Sequence, residues 1–119
     1  NEQSHQDPTL PEALLGEMAD TARVLFPIDA NSAAAALRSV YASHGQIACL
    51  VTPKRAVARL LSGARAQQAV ADGAALLLGD PSEADLQFVA IGAYQIAEAL
   101  RASERLMARG RSACVTALL

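Results

Sequence analysis

The opening residues gather polar side chains densely: Asn1, Glu2, Gln3, Ser4, His5, Gln6 and Asp7 follow one another without a break. An imidazole in that setting can take or give a proton near neutral pH. The amides of Asn1 and Gln6 can orient a substrate hydroxyl beside it. A terminal loop that is simply solvated has the same composition, and both readings stand at this point. A second candidate is Lys54, which closes the stretch Gln46–Lys54, QIACLVTPK. It is the only lysine among ten basic residues. Its ammonium suits a phosphate or a carboxylate as a compact point charge, although a solvated loop lysine is the plainer alternative. Elsewhere the chemistry thins. His44 lies before Gly45 at a helix end, where a partly charged imidazole favours the helix dipole, so it reads as structural. Gly92 is a lone glycine after a strand, and Tyr94 reads as packing. The sequence has no glycine-rich phosphate loop, no nucleophile elbow and no carboxylate pair at useful spacing.

The elements that must position these residues follow from the apolar pattern. Ile47, Ala48, Cys49, Leu50 and Val51 form a continuous apolar run closed by Pro53, which predicts a strand buried on both faces. Lys54 then falls just past the strand's carboxyl end, where open α/β sheets place their ligands. Upstream, Pro11 opens a short helix with Leu14, Leu15 and Met18 on one side. Arg23–Phe26 is a short apolar strand ended by Pro27. Asp29, Asn31 and Ser32 offer capping oxygens to a helix whose apolar stripe is Ala33, Ala36, Leu37, Val40 and Tyr41. Gly45 ends that helix, so strand, helix and strand form a βαβ unit with parallel strands.

The section from Arg55 to Asp85 reads differently. Short helical patterns over Ala56–Leu61 and Ala64–Ala71 are broken by Gly63 and Gly73, and AALLL is closed by Gly79, Asp80 and Pro81. It predicts a linker with some helix at a domain boundary. The βαβ pattern then resumes with a strand over Leu86–Ile91, a turn at Gly92 and a helix to about Arg109. That helix buries Ala93, Ile96, Ala97, Leu100 and Met107, and Gly110 stops it before an apolar strand over Ala113–Leu119. The expected fold class is α/β with parallel-sheet βαβ units, in three parts: residues 1–62, a linker over 63–84, and 85–119. A last parallel strand without a covering helix, and a loop at the start, read as an excerpt from a larger α/β protein.

Composition excludes several classes of function. At 119 residues with 52% hydrophobic side chains, the chain has ample core material, mostly alanine, leucine and valine, with 3% aromatics. A net charge of -2 argues against a nucleic-acid surface, which needs clustered positive charge. No apolar run approaches the roughly 20 residues of a membrane-spanning helix, and no export leader is visible. Cys49 and Cys114 sit in apolar runs without metal-ligand spacing, which predicts buried thiols in a reducing cytoplasm.

Three pieces in order, N-x-x-S-H-Q-x-P, then F-P-x-D-x-N, then an apolar strand ending in lysine, resemble the phosphoketolases. That family is the branch of thiamine-diphosphate enzymes related to transketolase. Here the pieces are Asn1, Ser4, His5, Gln6 and Pro8; Phe26, Pro27, Asp29 and Asn31; and Lys54. From Leu86 onward the similarity is confined to a strand, Gly92, Tyr94 and an alanine-rich helix, like the start of the family's C-terminal domain. Residues 1–62 would then be the end of the pyrimidine-binding domain. The resemblance implies cleavage of xylulose 5-phosphate or fructose 6-phosphate by inorganic phosphate, giving acetyl phosphate and an aldose phosphate. It implies thiamine diphosphate and Mg2+ as cofactors of the full-length enzyme, not bound by this stretch alone, and a homo-oligomer. His5 and Asn1 would contact the two-carbon fragment, with His5 assisting proton transfer. Gln6 would support them, and Lys54 would bind phosphate. Thr52 and Pro53 depart from the small residues usual before the lysine. A transketolase-like or epimerising sugar-phosphate enzyme, and a non-catalytic assembly module, are the alternative readings.

Overall fold

The computed structural model describes residues 8–119. Helix α1 (Thr9–Leu15) leads into strand β1 (Ala22–Leu25), helix α2 (Ala30–Ala42) and strand β2 (Ile47–Leu50). β1 and β2 pair in parallel, with Ala22 opposite Ile47 and Leu25 opposite Leu50, as the strand-helix-strand pattern requires. Extended coil then runs to helix α3 (Gly63–Asp72), which is followed by strand β3 (Ala74–Leu78), strand β4 (Leu86–Ile91), helix α4 (Ala93–Met107) and strand β5 (Ala113–Leu118). The last three strands form a second sheet in the order β3-β5-β4, with β4 parallel and β3 antiparallel to β5.

Several expectations are corrected. β2 is not buried on both faces. It has one partner strand among the described residues, its Ile47 is 56% exposed, and the rest of it is half-buried. The central strand with that character is β5, where Cys114, Val115 and Ala117 are at most 1% exposed between two neighbours. Residues 63–84 carry α3, the helix expected in that stretch, together with β3, while the helical pattern over Ala56–Leu61 is coil. β3 is the antiparallel element that a purely parallel reading omits. A single glycine, Gly73 in the left-handed region at φ 74°, joins α3 to β3.

The buried faces of the helices also differ from their apolar stripes. α2 buries Ser32, Ala35 and Ala36, leaving Leu37 and Tyr41 exposed. It packs against α3, which presents Ala66, Ala69 and Val70. Small side chains on both helices permit a close approach, so alanine rather than the larger residues selects the contact face. In α4 the buried set is Ala93, Ile96, Ala99 and Ser103, with Met107 exposed. Ser103 fits inside because its hydroxyl donates to Ala99 O at 2.9 Å. Of the apolar side expected for α1, Leu14 is half-buried, while Leu15 and Met18 are exposed.

One buried cluster connects the two sheets. It includes Leu25, Ile28 and Ala36 from the first unit, Val70 from α3, Ile96 from α4 and Val115 from β5. Arg65 of α3 further ties helix to strand by donating to Leu76 O at 2.6 Å.

Gly79 marks the tightest backbone approach. Its φ is +74°, and a Cβ there would lie 3.0 Å from Cys114 Cα and inside contact distance of Ala113 O. Gly110 has the same φ with nothing within 4 Å. Gly79→Ala is therefore expected to cost about 3 kcal/mol and Gly110→Ala about 1 kcal/mol in urea unfolding. Equal losses would show that the approach to β5 does not restrict position 79.

Candidate functional site

The carboxyl ends of β1 and β2 open onto a cavity of about 370 Å³. Its wall comes from two segments. Pro27, Asp29, Ala30 and Ala33 belong to the β1–α2 turn and the first turns of α2. Thr52, Pro53, Arg55, Ala56, Val57 and Arg59 belong to the coil after β2. This is the end of a parallel sheet where α/β folds bind ligands, and it is where Lys54 is expected. Lys54 is exposed and lies between cavity-lining Pro53 and Arg55, but it is not itself part of the wall. Among the described residues Lys54, Arg55 and Arg59 have no side-chain hydrogen-bond or ion-pair partner. Asn1, His5 and Gln6 lie outside the described residues, as does Ser4.

Asp29 holds the two walls together. The residue is buried at 3% exposure, with both carboxylate oxygens fully engaged. Oδ1 accepts from Ser32 N at 2.7 Å and from the Ser32 hydroxyl at 2.8 Å. Ser32 Oγ in turn accepts from Asp29 N at 3.0 Å, closing a capping box at the start of α2. Oδ2 reaches across to the coil and accepts from Leu60 N at 2.8 Å and Leu61 N at 2.9 Å. Asn31 adds a parallel tie, its Nδ2 donating to Leu61 O at 2.6 Å. Burial by itself would raise the Asp29 pKa. The hydrogen bonds from Ser32 N, Leu61 N, Ser32 Oγ and Leu60 N favour the carboxylate more strongly, and hold it below its ordinary value.

The sequence identifies Asp29 as a cap, and it is one. Its hold on residues 60 and 61 has no local signal, because the partners are backbone amides about thirty positions away. Arg55 and Arg59 did have a signal. With Lys54 they place three of the ten basic residues within six positions directly after a strand.

A second cavity, of about 430 Å³, sits where β2 approaches the β4–α4 turn and is lined by Phe26, Val51, Ile91, Gly92, Tyr94 and Gln95 among others. Thr52 and Pro53 line both cavities. Tyr94 is 49% exposed at this rim rather than packed inside. His44 is exposed in the turn after α2. Among the described residues no three His, Cys, Asp or Glu side chains gather to hold a metal ion. No helix there is long and apolar enough to cross a membrane.

Residues 1–43 match the family model of D-xylulose 5-phosphate/D-fructose 6-phosphate phosphoketolase. That match contains both the N-x-x-S-H-Q-x-P loop and the F-P-x-D-x-N turn. No curated protein matches the chain. Solved transketolases from Pichia stipitis share its fold. A mutant form is 25% identical with a TM-score of 0.72, covering 93% of this chain and 15% of its own. Complexes described as containing xylulose 5-phosphate and sedoheptulose 7-phosphate are each 25% identical with a TM-score of 0.71 and the same coverage. The chain thus spans about 15% of the length of the transketolases it matches. The phosphoketolase resemblance holds over its first third, and the transketolase-type α/β fold holds across nearly all of it.

Asp29→Ala removes an N-cap, at about 1 kcal/mol, and strands two inward-facing backbone donors at about 1 kcal/mol or more each. The expected loss in urea unfolding is about 3 kcal/mol. Because the native pKa is lowered, the contribution of this group is complete above the ordinary carboxylate range, about pH 4. It is lost as pH falls through the native value. Stability measured from pH 7 downward should decline less steeply in Asp29→Ala than in the parent chain. An identical acid limb would show that Asp29 is not a depressed carboxylate.

Proposed function

We propose that this chain is part of a phosphoketolase-like enzyme and that the cavity between α2 and the coil after β2 takes the phosphate of a sugar phosphate or the attacking inorganic phosphate. The observation that carries the reading is the placement of Arg55 and Arg59, beside Lys54, on the wall reached from the F-P-x-D-x-N turn. Guanidinium groups bind phosphate oxygens in pairs with charge assistance, and the ammonium of Lys54 adds a mobile point charge at the rim. The sugar phosphates named in the transketolase complexes at 25% identity support this substrate class.

In this reading His5 moves protons at the two-carbon fragment, Asn1 orients its oxygen and Gln6 supports them. Residues 1–62 belong to a pyrimidine-binding-type domain, 63–84 connect, and 85–119 begin the C-terminal domain. The full enzyme works as a homo-oligomer in the cytoplasm. Thiamine diphosphate supplies the electron sink when bound. In this reading the magnesium diphosphate end is held by other parts of the full enzyme. The contribution of this stretch is to bind phosphate, orient the sugar and hold the loop that does so. A transketolase-like reaction is the second reading, favoured by the fold match over 93% of the chain. It differs in passing the two-carbon unit to an aldose instead of to inorganic phosphate.

Titration of the 15N-labelled chain with inorganic phosphate, and separately with fructose 6-phosphate, tests the proposal. Amide shifts should concentrate in residues 52–59, and Arg55→Ala and Arg59→Ala should each weaken binding about tenfold, as loss of a charge-assisted hydrogen bond does. Shifts elsewhere, or unchanged affinity in both variants, would remove the phosphate site. Supplied with thiamine diphosphate, magnesium, fructose 6-phosphate and phosphate, the 119-residue chain should form no acetyl phosphate. Product formation would overturn the view that cofactor activation needs further polypeptide.

A further inference from the structure

We propose that Asp29 is a positioning residue for phosphate binding, clamping the backbone at Leu60 and Leu61 so that Arg55 and Arg59 stay on the cavity wall. The inference rests on the phosphate reading above and assigns to Asp29 a role beyond capping. Its two oxygens divide the work. Oδ1 serves α2 through Ser32 N and Oγ, and Oδ2 serves only the coil, through Leu60 N and Leu61 N. Arg59 is the residue immediately before the clamp, and Arg55 lies four residues upstream on the same wall. The coil from Val51 to Leu61 has no helix or strand of its own. Its course is therefore set by what its ends are tied to. At the β2 end, Val51 N donates to Leu25 O at 2.9 Å. At the far end the ties are Asp29 Oδ2 and the Asn31 amide. A carboxylate with four donors upon it has its charge largely answered, so the arginines keep their hydrogen-bonding capacity for an incoming anion.

This division makes one substitution selective. Asparagine caps helices as well as aspartate does, so Asp29→Asn can keep Oδ1 on Ser32. Its Nδ2, a donor, would face the donors at Leu60 and Leu61 and cannot hold them. The variant should release the coil while leaving α2 formed.

The test is hydrogen exchange and inorganic phosphate titration on the 119-residue chain, followed by 15N NMR. In Asp29→Asn, protection at the Leu60 and Leu61 amides should fall at least tenfold relative to that of the α2 amides. The dissociation constant for phosphate should rise about tenfold. Asn31→Ala should move both readouts in the same direction. Ile96→Val, a fully buried change in α4, lowers stability without touching the coil. It should leave phosphate affinity within twofold, which separates positioning from general loss of stability. If the parent chain binds phosphate at residues 52–59 and Asp29→Asn binds it equally well, the clamp is overturned and the phosphate site stands. If the parent chain shows no phosphate response, the site and the clamp fall together.

Discussion

The interaction on which the architecture depends is the buried carboxylate of Asp29. It starts α2 by capping it, and it ends the excursion after β2 by taking two backbone amides from Leu60 and Leu61. Without it, the amides at the coil's end would lack acceptors where water has limited access, a cost comparable to losing whole hydrogen bonds. The chain emerging from that clamp passes through Leu61, which is 3% exposed, and Ser62, which caps α3 by accepting from Arg65 N. One side chain therefore fixes the starting positions of the two helices that pack together.

The packing of α2 on α3 follows from that common origin. Ala35 and Ala36 face Ala66, Ala69 and Val70, and a contact made of such small residues is favourable only when the axes lie close. Close approach seats Val70 in the same buried cluster as Leu25 and Val115, joining the parallel pair to the second sheet. The larger residues of α2, Leu37 and Tyr41, are left outside because the face they occupy does not meet α3.

The sequence is informative wherever the determinant is local. Leu86–Ile91 is a strand with the expected limits, and α2 starts at the capping residues proposed for it. The match over residues 1–43 spans the two short motifs legible in the sequence. What the sequence conceals is non-local. A continuous apolar run marks a strand buried on both faces only if it also has neighbours on both edges. β5 has them, and β2 has one among the described residues. The antiparallel course of β3 is likewise set by its pairing with β5, about forty residues on, with Ala74 opposite Leu118. In the helices, hydrophobic spacing ranks residues by size, whereas alanine contacts rank them by how near the partner can come. At the candidate site the sequence points to the carboxyl end of β2 and selects Lys54, which lies next to the cavity wall. The cavity is lined by Arg55 and Arg59, beside Lys54, because the path of the coil brings those positions against the first turn of α2.

The proposed phosphate site sets a condition on the charge arrangement at the cavity. A carboxylate on the wall of an anion site repels its ligand unless its own charge is answered first, and the Coulomb term grows as the surroundings lose water. Asp29 is answered by four donors from Ser32, Leu60 and Leu61, which also depress its pKa. The bonds to Leu60 and Leu61 are made by the residues that directly follow Arg59, so the coil carrying both arginines is held by the same bonds that answer the carboxylate. On the proposed reading, binding and folding draw on one set of hydrogen bonds: a conformation of residues 51–61 that releases Asp29 would at once misplace the arginines and leave the carboxylate uncompensated. That coupling would let a coil with no secondary structure of its own present two arginines to an incoming anion.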